Sequence, residues 1–249
     1  MIRILLAAAL MMASAGMANA AEIKALFAET FRPTTAQVIP QFEKSSGHKV
    51  TLAFGTAGAV TARIQNGEPA DVAVTAAPQI DNLGRQGKIV GDRVILAKVG
   101  IGVFVRRGAP KPDISSADAL RASLLAVTIV YTDPAAGGPA GIYVAKLLDQ
   151  LGIGAAMKPK TKLTRGGEAN QNAVVGGEAE IGFNMINEIL IDPRVELVGP
   201  LPPPVQNYTT FAAGIVDTST QQDAGRALIG FLSSPDILAV MRKLGFEPG

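Results

Sequence analysis

The 249-residue chain carries 23 basic and 21 acidic side chains, one histidine and no cysteine. A formal charge of +2 supplies no basic surface for DNA or an acidic membrane. Without cysteine there are no disulfides, no thiol nucleophile and no thiolate-bound metal, so stability must come from core burial.

Residues 1–20, MIRILLAAALMMASAGMANA, set Arg3 ahead of an apolar run from Ile4 to about Ala13 and finish on Ala18 and Ala20. This is the layout of a secretory signal peptide cleaved near Ala20, and the run is shorter than the ~20 apolar residues that span a bilayer. The mature chain is expected to be soluble and periplasmic. It has no cysteine at the cleavage site to carry a lipid tether. The 229 residues that remain (249 less 20) suffice for two lobes of ordinary size.

Beyond the leader, β-rich apolar segments are expected at 23–27, 49–54, 71–75, 94–105, 126–131, 161–164, 181–183, 196–198 and 208–216. Between them, apolar residues recur at helical spacing: Val60 with Ile64, Ile80 with Leu83, Leu120 with Leu124, and Tyr143 with Leu147 and Leu151. Gly67, Gly87 and Gly152 follow such runs, where a residue free to take positive φ closes a helix. Pro40 fits less well, because inside a helix over 34–45 it removes a hydrogen bond and predicts a bend.

Strand, helix, strand repetition implies parallel-dominated sheets flanked by helices, an α/β fold. Two segments are too long for single parallel strands: LAKVGIGVFVRRG at 96–108, and PLPPPVQNYTTFAAGIV at 200–216. Read as crossings, they divide the chain into a first lobe of 21–97 with 208–249 and a second lobe of 98–207. Strands would then form the hinges, and helices near 224–233 and 235–244 would return to the first lobe.

Catalytic parts are scarce. His48 lies in the polar turn SSGHKV and reads as a solvated loop residue. No second histidine or cysteine completes a nucleophilic pair or an ordinary zinc site, and the common hydrolase, zinc-protease and phosphate-loop motifs are absent. Asp81, Asp133, Glu168, Glu178 and Glu188 offer carboxylates, but no spacing singles out an acid and base pair. The expectation is a protein that is not an enzyme and carries no cofactor or metal.

Small and hydroxyl residues instead gather at strand-to-helix junctions. These are Ala28-Glu29-Thr30-Phe31, then Gly55-Thr56-Ala57-Gly58, then the stretch from Asp133 through Gly138-Pro139-Ala140-Gly141, and Thr164-Arg165-Gly166-Gly167-Glu168. In parallel α/β sheets such junctions share the carboxyl edge, where ligands bind. Helix N-termini converging there offer free N–H groups and partial positive charge, which suit an anion.

The stretch from Leu26 to Ala76 resembles the start of the periplasmic molybdate-binding proteins of ABC importers. The matching pieces are Phe27-Ala28, Gln41-Phe42, Arg63 and Gly67-Glu68-Pro69-Ala70-Asp71-Val72. Further matches follow in order at Pro139-Ala140-Gly141-Ile142-Tyr143, at 177–183 (GEAEIGF), at Ser234-Pro235 and at Leu244-Gly245-Phe246. The resemblance implies the hinged two-lobed periplasmic binding protein fold and a small anionic ligand. It also implies delivery to a membrane permease by a monomer that binds no nucleic acid.

What the resemblance implies about the site is less uniform. Its two serine positions fall at Phe31, beside Thr30, and at Ala57, beside Thr56 and Gly58. Its backbone contacts fall near Ala140 and Gly141 and at Gly167, and its tyrosine position falls at Met185. With three hydroxyls displaced, the ligand is either a molybdate-type oxyanion held mainly by backbone N–H groups or a small organic carboxylate. In the second case Arg165 or Arg32 could supply a bidentate fork and Asn184 an orienting amide. A sensory role at a receptor and a periplasmic enzyme are the alternatives to import.

Overall fold

The computed structural model describes residues 20–249, so the expected leader lies almost wholly outside the described residues. In chain order come β1 (Glu22–Ala28), α1 (Arg32–Ser46), β2 (Lys49–Gly55), α2 (Ala57–Gln65), β3 (Val72–Ala76), α3 (Ala77–Arg85) and β4 (Ile89–Arg106). Next are α4 (Ala117–Ala126), β5 (Ile129–Thr132), α5 (Pro139–Gln150), α6 (Gly154–Met157), β6 (Thr161–Thr164), α7 (Gly167–Val175), β7 (Ile181–Met185) and α8 (Ile186–Ile191). The chain closes with β8 (Val195–Pro200), β9 (Tyr208–Val216), α9 (Gln222–Leu232) and α10 (Pro235–Lys243).

The strands lie in the order β2-β1-β3-β9-β4-β7-β5-β6, with β8 also beside β4. β1 pairs in parallel with β2 and β3, and β5 with β6 and β7, the arrangement that strand-helix repetition implies. Every pair formed by β4 or β9 is antiparallel. The reason is topological: β4 carries the chain out of one sheet, and β9 brings it back alongside.

The crossing itself is sharply located. β4 pairs with β9 as far as Gly100 opposite Tyr208, then with β7 from Ile101 opposite Met185. The change of partner would leave Ile101's backbone short of a neighbour, a costly condition for a buried residue. The Gln206 amide fills the place of a strand, accepting the Ile101 N–H and donating to its carbonyl, both at 3.0 Å. β4 also begins earlier than the apolar run implies, at Ile89, because a bulge around Val90 to Val94 lets a polar G-D-R turn ride on the same strand.

Other differences are local. Residue 126 ends α4 rather than starting a strand, because Leu120 and Leu124 are fully buried on one helix face and hold that turn in the helix. α1 runs unbroken through Pro40. Pro40 gives the Ala36 carbonyl no hydrogen bond, but both residues are exposed, so water can serve it. Gly67, Gly87 and Gly152 take φ of 77°, 71° and 68°. His48 is more tied down than a loop residue, its Nδ1 accepting the Ala21 N–H at 3.1 Å.

The main core runs through both sheets, from Ile23, Phe27 and Val74 to Val103, Ile129 and Phe183. Phe31 is fully buried at its centre, its ring 5.3 Å from Phe211 and 5.1 Å from Phe246. Smaller clusters lie under α2 and α3 (Leu26, Ile64, Leu83) and under α7 and α8 (Phe104, Val174, Ile189). Two aromatic contacts therefore fasten the turn after β1 to the strand β9 and to the C-terminal tail.

Candidate functional site

Five strand-to-helix junctions meet in one small, partly open pocket with a cavity volume of about 50 Å³. Its wall is built from Ala28, Glu29 and Thr30 after β1, Thr56 and Ala57 after β2, Thr132 and Gly138 through Gly141 after β5, and Gly166 and Gly167 after β6. Asn184, Met185 and Glu188 close it from the end of β7, and Phe211 of β9 forms part of its floor.

Two helices begin at this wall without a side-chain cap. α5 opens after Gly138 and α7 after Gly166. Their first N–H groups have no partner inside the helix, and with the helix dipole they favour negative charge. α2 differs, because Thr56 caps it by accepting the Ala59 N–H at 3.1 Å. The same Thr56 hydroxyl donates to the Ala136 carbonyl, so it already has two partners.

Close backbone approach explains the glycines. A Cβ on Gly141 would sit 2.0 Å from the Thr132 carbonyl oxygen, so only glycine lets α5 start directly against the end of β5. Gly58 and Gly137 meet across the mouth of the pocket, where the Gly58 N–H donates to the Gly137 carbonyl at 3.0 Å. A Cβ on either would lie 2.7 Å from the other's Cα. Thr30 makes a second bridge, donating to Asn187 Oδ1 at 2.8 Å while the Asn187 amide donates to the Thr30 carbonyl at 2.6 Å. These contacts join the junctions after β1 and β2 to those after β5 and β7 across the pocket.

A buried amide network sets the far wall. Asn170 donates to Asn184 Oδ1 at 2.7 Å and accepts from the Thr164 hydroxyl at 2.5 Å. Asn184 in turn donates to the Gly167 carbonyl at 2.9 Å. The amide of Asn184 is thus spent on holding the start of α7 in place.

Of the residues singled out from sequence, Thr30, Thr56, Ala57, Ala140, Gly141, Gly167, Asn184 and Met185 are brought together on the pocket wall. Gly58 lies at its rim through the contact with Gly137. Phe31 is not on the wall, because its ring is drawn into the Phe27, Phe211 and Phe246 stack. Arg165 is exposed and off the wall. Arg32 is exposed too, its guanidinium 4.2 Å from the centre of the Phe54 ring and 4.0 Å from Glu29 Oε1. Among the described residues no arginine lines the pocket.

Two carboxyls do line it, Glu29 and Glu188. They approach the neighbouring glycines of one turn: a Cβ on Gly166 would lie 2.8 Å from Glu29 Oε2, and one on Gly167 would lie 2.0 Å from Glu188 Oε2. Burial, reinforced by the nearby Glu29 charge and opposed by a contact with the Thr30 hydroxyl, pushes the Glu188 carboxyl up to about 8. Glu188 is therefore mostly neutral at pH 7, and it can donate a hydrogen bond as well as accept one.

Glu29 and Glu188 were the pair that residue spacing did not single out, since 159 positions separate them (188 less 29). A local signal exists at one end only. Glu188 is the third residue of α8, whose preceding residue Met185 lines the pocket, so its side chain reaches back toward the same wall. Among the described residues no group of histidine and carboxylate side chains could hold a metal ion.

Known proteins share this architecture. The chain is 31% identical over 223 residues to an aconitate isomerase of a Pseudomonas species, covering 86% of this chain and 83% of that protein. It is 27% identical over 239 residues to the molybdate-binding protein ModA of Azotobacter vinelandii, covering 92% and 91%. Among solved structures, the periplasmic molybdate-binding protein of Azotobacter vinelandii superposes with a TM-score of 0.77 at 21% identity, covering 91% of this chain and 99% of that one, which establishes the two-lobed fold. The profile of the bacterial extracellular solute-binding proteins matches residues 23–247, and the chain belongs to that family.

Proposed function

We propose that the protein is an exported, periplasmic receptor that closes two lobes, 21–97 with 208–249 and 98–207, around a small organic polycarboxylate and delivers it to an import permease. The composition of the pocket wall carries this reading. A molybdate-type oxyanion is best held by hydrogen-bond donors on every side, whereas Ala28, Ala57, Pro139, Ala140, Met185 and Phe211 offer none from their side chains. Those surfaces match a hydrocarbon skeleton, and burying it there contributes about 25 cal/mol per Å². The uncapped starts of α5 and α7 receive its carboxylates. Neutral Glu188 adds a donor that can pair with a further carboxylate.

One observation favours a second reading, in which the captured acid is also chemically altered. The wall holds two carboxyls, one with a strongly raised pKa, and a relative of this chain is named aconitate isomerase.

Thermal unfolding with a ligand panel tests capture. A ligand at a hundred times its Kd stabilises by about 2.7 kcal/mol, or roughly 5–10 °C for a chain of this size. Citrate or trans-aconitate is expected to raise Tm by that amount, with no rise from molybdate, tungstate or sulfate. A rise with molybdate alone would reject the carboxylate ligand.

A further inference from the structure

We propose that Glu29 and Glu188 work as paired base and acid that move the double bond of a bound unsaturated polycarboxylate by a 1,3 proton shift. This rests on carboxylate capture in the same pocket.

The geometry meets the needs of that reaction. Both carboxyls line the ligand pocket, and both border the start of α7, one beside Gly166 and the other beside Gly167. The substrate class is an acid with a CH2 between a carboxylate group and a C=C bond. Glu29 takes a proton from that CH2, and the C–H electron pair becomes the new C=C bond. The old double bond's electrons take the proton of Glu188 at its far carbon. The substrate loses one proton and gains one, the pair holds one proton before and after, and no oxidant or reductant is used. Charge that builds on the substrate carboxylate during the shift faces the uncapped N-termini of α5 and α7.

The pair has a way to reset. Glu29 and Glu188 also line a second, outward cleft together with Arg32, Glu168, Asp192 and Arg194. Asp192 is paired with Arg194 at 2.7 Å, and Arg32 stands 4.0 Å from Glu29. Through this cleft the proton left on Glu29 returns to Glu188 by way of solvent. Burial that keeps Glu188 protonated near neutrality places the acid in the right state before substrate arrives.

The experiment incubates the mature protein with trans-aconitate in D2O at neutral pH and follows deuterium entry at the CH2 and vinyl positions by NMR, with calorimetric binding measured on the same samples. Wild type is expected to exchange both positions. Glu188→Gln and Glu29→Gln are each expected to slow exchange at least a hundredfold while still binding trans-aconitate and unfolding cooperatively. Binding without exchange in wild type, or wild-type exchange in both variants, would overturn the proton shift and leave capture standing. Absence of binding by wild type to both trans-aconitate and citrate would overturn capture itself.

Discussion

A Glu188→Gln protein is expected to be more stable than wild type at pH 8 by roughly 3 kcal/mol, and equal to it near pH 4. Below about pH 4.5 the carboxyl is protonated in both the folded and unfolded chains, so the amide changes little. As pH rises past 4.5 the unfolded chain releases this proton while the folded chain keeps it until about pH 8. The released form is favoured, so wild-type stability falls across that window at up to about 1.4 kcal/mol per pH unit, and the fall stops above pH 8. The full interval sets a ceiling of about 5 kcal/mol, and the partial exposure of Glu188 argues for the lower figure. Glutamine keeps the shape and cannot ionise, so it abolishes the slope. Urea unfolding at pH 4, 6 and 8 checks this; a wild-type stability that rises between pH 5 and 8 by comparison with the variant would refute the burial of Glu188.

Gly141→Ala is expected to cost about 3 kcal/mol or more and to abolish ligand binding. The added Cβ meets the Thr132 carbonyl oxygen at 2.0 Å, and neither partner is a flexible side chain that could turn away. Helix α5 must therefore retreat from β5, taking with it the Ala140 backbone and the first N–H groups of the helix, which start at the pocket wall. For a chain of this length the loss corresponds to a fall in Tm of roughly 6–12 °C. Gly230→Ala is the control: it lies within α9 with open space around it, so the same change there should stabilise by up to about 1 kcal/mol. Differential scanning calorimetry of the two variants separates crowding at the junction from the ordinary helix preference for alanine. A Gly141→Ala protein as stable as wild type would mean that α5 does not press on β5.

The contrast between these sites follows what sequence can carry. Strand β9 was legible residue for residue, because polar residues bound its apolar run and no helix-like spacing competes. The end of α4 was not, since Leu124, Leu125 and Val127 form one apolar run that helix and strand share. The pocket wall was legible at the glycine junctions, where local chemistry reports a turn. It was not legible at Phe31, whose neighbour Thr30 faces the pocket while its own ring joins aromatics 180 and 215 positions away (211 less 31 and 246 less 31). Glu29 and Glu188 are the extreme case. Each looks like an ordinary surface carboxylate, and only the folding of two sheets around one crossing at Gly100 and Ile101 brings them to the same wall.

The wall composition, apolar surfaces with two carboxyls, is also what separates this chain from the hydroxyl-lined site its family resemblance implies. Thr30 and Thr56 stand beside the serine positions of that pattern, yet both hydroxyls donate to the opposite side of the pocket. They act as contacts across it.

The most direct measurement is isothermal titration calorimetry of the mature protein with trans-aconitate, citrate and molybdate at pH 6.5 and at pH 10. The account predicts one carboxylate site per chain with affinity at least a hundredfold above that for molybdate, weakening about tenfold for each pH unit above 8 as Glu188 loses its proton. Submicromolar molybdate binding that is unchanged between the two pH values would contradict it.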